Sequence, residues 1–190
     1  YEDFLKIRRQ LIAQVTRDGF MALLNRDESD SVNDLETRLA RGESDVLEFK
    51  GSARWSVNTE HKKKSEQIIV KTVAGFLNRN GGSLFIGVRD DGSTLGLKPD
   101  YETLSRANRD GYELFLSQLI SDNISGPANT MCKVIFHDRD SEDICEIKVT
   151  ASPDPVFCSS AQDKNHTIFW LREGNRTVQY QGLERQEYIK

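Results

Sequence analysis

Phe4, Ile7, Leu11, Ile12, Val15 and Phe20 recur at helical spacing with Arg8, Arg9 and Arg17 between them, which predicts an amphipathic helix over residues 4–24. A polar stretch follows, and a linker is expected near residues 26–31. Ser31-Val-Asn-Asp34 has the form of a helix N-cap followed by an acid, leading into a short helix through Leu35 and Leu39. From Val46 the pattern changes: Val46-Leu-Glu-Phe-Lys50 ends in apolar and charged positions that alternate as in a half-buried strand. Past a polar loop over residues 51–60, Ile68, Ile69, Val73, Phe76 and Leu77 predict a helix from about Ser65 to Asn78, stopped by Gly81-Gly82.

Ser83-Leu-Phe-Ile-Gly-Val88 is an apolar run bounded by turns, hence a central strand. Asp90-Asp91-Gly92 is expected to turn it into a hairpin through Thr94–Leu97. A helix is expected over residues 101–120, with an interruption at Asp110-Gly111. Cys132–His137 and Ile144–Val149 alternate apolar with charged positions and predict a hairpin with one solvated face. Thr167–Arg172 and Arg176–Tyr180 predict a second hairpin, and Pro153-Asp154-Pro155 breaks the chain between the two. The pattern implies a mixed α/β chain of the α+β class, with helices packed on one sheet built largely from β-hairpins and preceded by an N-terminal helical segment.

Composition narrows the class. The chain has 190 residues, 37% hydrophobic and 29% charged, with four prolines, as expected of one globular domain with an appendage. No apolar run reaches the roughly 18 residues of a membrane span, and no signal-like stretch opens the chain, so a cytoplasmic location and no membrane partner are expected. A chain opening at Tyr1 is expected to be a fragment or processed form. Cys132, Cys145 and Cys158 contain no CxxC pair and read as reduced, buried small hydrophobes. The Asn-x-Ser/Thr triplets at Asn123, Asn165 and Asn175 are chance matches in a cytoplasmic chain. The formal net charge of −4 argues at first against a nucleic-acid partner.

Three stretches could carry chemistry. Glu43 and Glu48 bracket the start of the strand ending in Lys50, and Glu48 and Lys50 project from one face by the two-residue period. Such a set can hold a divalent cation and a phosphate together, or it can be a solvated ion pair. Asp90, at the exit of the apolar strand, stands where a metal ligand or plain turn chemistry would serve equally. Third, Lys50, Arg54, Lys62, Lys63, Lys64 and Lys71 face Glu48, Glu60 and Glu66 in the same segment, six bases against three acids and a local charge of +3. With Trp55 nearby, this cluster suits backbone contact and base stacking on a nucleic acid, or a solvated helix face. The glycines around 81–92 lack the Gly-Lys-Ser/Thr of a phosphate loop. His61, His137 and His166 are scattered and read as surface or loop residues, and no Ser or Cys has a nucleophile-elbow context.

Gly42-Glu43, Leu47-Glu-Phe-Lys50, Ala74-Gly-Phe-Leu-Asn78, Gly81-Gly82, Leu84-Phe-Ile-Gly-Val88, Asp90-Asp-Gly92, Pro155-Val-Phe157 and Phe169-Trp-Leu-Arg-Glu-Gly174 occur in the order of the Schlafen-type AlbA domain. The chain resembles that family over residues 42–188. The resemblance implies an α+β fold, with a helical segment and linker over residues 1–41 that belongs to a preceding region of a larger multidomain chain, and the domain over 42–190. It also implies nucleic acid, RNA or DNA, as partner. In the Schlafen branch a metal-dependent ribonuclease centre uses two glutamates and one aspartate, which fall on Glu43, Glu48 and Asp90 as ligands of Mg²⁺ or Mn²⁺. Lys50 and the 62–64 lysines would then neutralise the backbone, and ribonuclease activity is expected before deoxyribonuclease, in a host-defence setting by analogy. Other members with the same signatures are non-catalytic DNA-binding or transcription-regulating modules, so that alternative stands beside the first. A restriction-type arrangement of Asp45 with Glu48-x-Lys50 ranks below both. Self-association is compatible with all three.

Overall fold

The computed structural model describes residues 34–55, 59–159 and 167–189. The helix expected over 4–24, the linker near 26–31 and His166 lie outside the described residues, as do the side chains of 59–62, those of His61 and Lys62 among them. The chain divides into two compact units, Tyr1–Arg41 and Gly42–Lys190. Of the first, the structure describes one helix, α1 (34–41), with Leu35 and Leu39 buried four residues apart and Asp34 paired with Arg38 at 3.6 Å on successive turns.

In the second unit, β1 (Leu47–Lys50) and β2 (Gly82–Ile86) run parallel, joined by the crossover helix α2 (Thr59–Leu77). The chain continues through α3 (Lys98–Tyr101), α4 (Arg109–Asn123) and a 3₁₀ turn at Ala128–Met131. The strands β3 (Cys132–Arg139) and β4 (Glu142–Val149) follow, and the first sheet has the order β1-β2-β4-β3, antiparallel except for β1–β2. One face presents Leu84, Ile86, Cys145 and Ile147 to Ile69, Val73, Phe76 and Leu77 of α2 and Tyr112, Leu116 and Ile120 of α4, all buried in one core. Glu48 and Lys50 project from this same face of the edge strand β1, whereas Leu47 and Phe49 project from the other.

β5 (Cys158–Ser159), β6 (Thr167–Glu173) and β7 (Arg176–Tyr180) form a second sheet, followed by α5 (Gly182–Ile189). The α+β class and both hairpins are as the pattern implies, but the described strands divide between two sheets instead of one. The apolar segment of α2 joins the two. A Cβ on Gly75 would lie 2.7 Å from Cγ2 of Thr177 on β7, so the glycine permits close helix–strand approach. The Asn78 side chain, buried just past the helix end, donates to the carbonyls of Val156 and Trp170, each at 2.9 Å, and accepts from Val156 N–H at 2.8 Å.

α2 begins at Thr59, not Ser65, because the Lys- and Glu-rich first turns are good helix formers that carry no apolar period to read. The break in the 101–120 region falls at 102–108 and not at Asp110-Gly111, which lie in the first turn of α4. There the Asn108 side chain caps the helix by accepting Gly111 N–H at 2.9 Å, and a Cβ on Gly111 would lie 2.0 Å from the Arg106 carbonyl. The Asp90–Gly92 turn leads to a single bridge between Val88 and Thr94, short of a two-stranded hairpin. The β3–β4 hairpin has no fully solvated face on β4: Ile144, Cys145, Glu146 and Ile147 are all buried. His137 is a strand residue, its Nε2 lying 2.9 Å from Oε2 of the buried Glu146, which also accepts from Ser83 Oγ at 2.7 Å.

Candidate functional site

The parallel pairing of β1 with β2 sets Lys50 beside Ile86, and the Lys50 carbonyl then accepts Gly87 N–H at 2.9 Å. The turn carrying Asp90 therefore leaves β2 next to the end of β1. Gly51, Arg89, Asp90 and Asp91 line a shallow, open depression of about 450 Å³ there. The carboxyl ends of parallel strands are the usual place for ligands in open α/β sheets, because the diverging loops leave a crevice. The turn is held from two sides. Arg139 Nη1, at the end of β3, donates to the Gly92 carbonyl at 2.8 Å, and Thr94 Oγ1 donates to Asp140 of the β3–β4 turn at 2.8 Å. Asp91 accepts Ser93 N–H at 2.9 Å and Ser93 Oγ–H at 2.6 Å, and these bonds hold its carboxyl below the usual range.

Glu43, Glu48 and Lys50 come together as their spacing implies. Lys50 Nζ lies 2.7 Å from Glu48 Oε1 and 3.5 Å from Glu43 Oε1, and Glu43 Oε1 also accepts Phe49 N–H at 3.0 Å. The other Glu48 oxygen, Oε2, faces Arg172 Nη2 at 2.7 Å. Arg172 is the partner that local reading missed: its side chain is 1% exposed, and its Nη2 also donates to the Ser44 carbonyl at 2.5 Å. Its guanidinium lies over the Phe76 ring, 5.1 Å from the centroid. The one local signal is a basic residue directly after the apolar run Phe169-Trp170-Leu171.

Each Glu48 oxygen thus has a cation of the protein 2.7 Å away, although Oε2 is buried and makes no hydrogen bond, and Lys50 lies within 3.5 Å of both Glu43 and Glu48. Among the described residues no group of three or more His, Cys, Asp or Glu side chains is placed to share a metal ion. In this arrangement the acids do not fit a divalent cation. Asp90 is exposed and stands apart on the depression.

The expected basic cluster separates into two kinds. Arg54 folds back, its guanidinium 4.9 Å from the Phe115 ring centroid and its Nε 3.9 Å from Glu66, while Lys71 lies 4.8 Å from the Trp170 ring centroid. Lys63 and Lys64 are exposed near the start of α2. Local reading also missed Asp100, which is buried at 1% exposure and organises the loop after β1. Its carboxylate accepts from Ser52 Oγ (2.5 Å), Ala53 N–H (2.9 Å), Trp55 N–H (2.5 Å) and the Tyr112 hydroxyl (2.6 Å). Burial, with Asp100 beside it, pushes the Tyr112 hydroxyl well above its ordinary range, so it stays a donor.

A family model described as Schlafen, AlbA_2 matches residues 43–181. No curated protein matches the chain. Among solved structures it is similar to the DIP2311 protein from Corynebacterium diphtheriae, with a TM-score of 0.52 and 17% identity over 85% of this chain. The matched region is 28% of that protein's chain, so the likeness concerns the fold of a part. Among the described residues no helix is long and apolar enough to cross a membrane.

Proposed function

Because the chain belongs to the Schlafen AlbA_2 family, whose domains are generally linked to nucleic-acid binding, we propose that this unit binds nucleic acid through its lysines and does so without a metal ion at Glu48. The observation that supports this reading is the double ion pair of Glu48, with Lys50 and Arg172 each at 2.7 Å. A carboxylate with a cation of the protein beside each oxygen attracts an added cation weakly, and its role is to fix β1 against the second sheet. Lys63 and Lys64, exposed on α2, then contact phosphates. Such contacts release counterions, so affinity falls steeply with salt, and losing one phosphate contact lowers the slope by about 1. The test is fluorescence anisotropy of labelled RNA and DNA over a salt series with wild type and a Lys63→Ala/Lys64→Ala variant. The variant is expected to bind more weakly and with a shallower slope; identical curves would refute the assignment.

A second reading makes the domain a Mg²⁺- or Mn²⁺-dependent nuclease, acting on RNA in preference to DNA, with Glu43, Glu48 and Asp90 as ligands. Its support is the place of Asp90 on the depression beside Gly51, one residue beyond Lys50. It requires Lys50 to withdraw from Glu48. Metal-dependent cleavage that is lost in Glu48→Gln and in chelator would establish it over the first.

A further inference from the structure

Trp55 is the large exposed aromatic of the loop after β1, at 48% exposure. The indole stands on backbone held by hydrogen bonds. The Trp55 backbone N–H donates to Asp100 Oδ1 at 2.5 Å and to Ser52 Oγ at 2.7 Å, and the Ala53 N–H donates to the other Asp100 oxygen at 2.9 Å. Asp100 is itself buried and tied to Tyr112, which packs edge-on against Tyr101 with centroids 5.6 Å apart. A buried carboxylate thus holds the backbone under a half-exposed ring. The backbone part of the ordering entropy is already spent before any ligand arrives.

The surroundings specify what the ring would meet. The preceding residue, Arg54, keeps its guanidinium on Phe115, so the cationic charge stays beside the loop without covering the indole. The exposed Lys63 and Lys64 follow on the next helix, and the open depression at the start of the same loop is lined by Gly51 and Arg89 together with Asp90 and Asp91. An exposed π surface in the same segment as lysines that can take phosphates is how proteins hold unpaired bases. Every base offers a π face, but in a duplex those faces are already stacked on one another.

We infer that Trp55 is a stacking platform for an unpaired base, which makes nucleic acid with single-stranded segments the substrate class of this domain. The inference rests on the nucleic-acid reading above and adds the strandedness. Its test measures, with the full chain, binding of a short labelled single-stranded RNA, the same sequence as DNA, and the matching duplex. Wild type is expected to favour the single strands. Trp55→Ala is expected to weaken single-strand binding by roughly 5- to 150-fold, the effect of one lost base–aromatic stack, while Trp55→Phe retains most of it. Duplex binding should change by less than about twofold, since no stack is made there.

In Trp170→Phe, Trp55 is the remaining tryptophan of the two, and its emission should be quenched on addition of the single strand. Equal single-strand affinity of Trp55→Ala and wild type, or no quenching on binding, overturns the inference. If wild type binds duplex and single strand alike and Trp55 is immaterial, the nucleic-acid reading survives and the platform does not. If wild type binds none of the three, both fall. The RNA and DNA arms report which sugar the unpaired strand carries.

Discussion

Replacing Arg172 by Met would expose how much of the fold rests on the charge cluster behind β1. The guanidinium is 1% exposed and loses three kinds of contact: the pair with Glu48 at 2.7 Å, the donation to Ser44 carbonyl at 2.5 Å, and the face of Phe76 at 5.1 Å. Removing one partner of a buried pair costs about 3–5 kcal/mol, because the remaining charge stays buried without compensation. Here Glu48 is 12% exposed and keeps Lys50 at 2.7 Å, which places the expectation near the lower end, about 3 kcal/mol. Urea denaturation at neutral pH, followed by circular dichroism, reads it directly as a fall in midpoint at unchanged slope. The double variant Arg172→Met/Glu48→Gln should lose less than the sum of the single variants by at least about 1 kcal/mol, since the second change removes the stranded charge. A loss below about 1 kcal/mol in Arg172→Met, or strict additivity, would refute the assignment of Glu48 to an internal ion-pair network.

Other outcomes follow from the same geometry. Asn78→Ala strands the Val156 and Trp170 groups it now satisfies and should cost about 2–4 kcal/mol in the same denaturation assay, whereas a change under about 0.5 kcal/mol would show that the bridge is not formed. Gly75→Ala should destabilise by about 1–3 kcal/mol through the 2.7 Å clash with Thr177 Cγ2, and adding Thr177→Ser, which removes that methyl, should restore much of the loss. Asp143 is held below the usual carboxylate range chiefly by its hydrogen bond from Arg109 and secondarily by the Tyr101 hydroxyl. Its contribution is therefore present above the ordinary Asp value of about 3.9 and is lost as pH falls through the depressed folded value. Asp143→Asn should be slightly less stable than wild type at pH 7, with the two melting curves converging in acid; parallel curves across that range would contradict the pairing. Burial pushes the Cys132 and Cys158 thiols up to about 12 and Cys145 well above its ordinary value, so at pH 8 the native protein should react with a thiol reagent on the order of 10³-fold more slowly than the denatured chain. Rapid labelling of the native state would show that these side chains open to solvent.

What could be read along the chain was what local periodicity encodes. The alternation in Leu47–Lys50 placed Glu48 and Lys50 on one face, and they pair there. The 132–149 and 167–180 hairpins were legible because each closes over a short turn, the first through Asp140 and Ser141, both at positive φ. What escaped is set by contacts distant in sequence. Arg172 reaches Glu48 from the second sheet, and no window along the chain contains both residues. Asp100 sits in a Pro-Asp-Tyr segment that looks like turn chemistry, yet it serves a loop beside β1. Gly111 resembles a helix breaker, but a capped first turn removes that penalty and the crowding at Arg106 requires it. Asp90 lies in the turn at the exit of the apolar strand, on the depression beside Gly51.

The pairing of Lys50 also decides how the acidic total is understood. A net charge of −4 describes the surface as a whole, whereas part of the acidity near β1 is neutralised internally and the exposed lysines at the start of α2 remain available. On the proposed reading, nucleic acid is bound here without a metal ion at Glu48. The most direct measurement is anisotropy of a labelled single-stranded RNA with wild type in excess chelator and in Mn²⁺, with the same samples then run on a denaturing gel. The account predicts equal, salt-sensitive binding in both and an intact strand. Binding that requires Mn²⁺, with cleavage that disappears in Glu48→Gln, would contradict it.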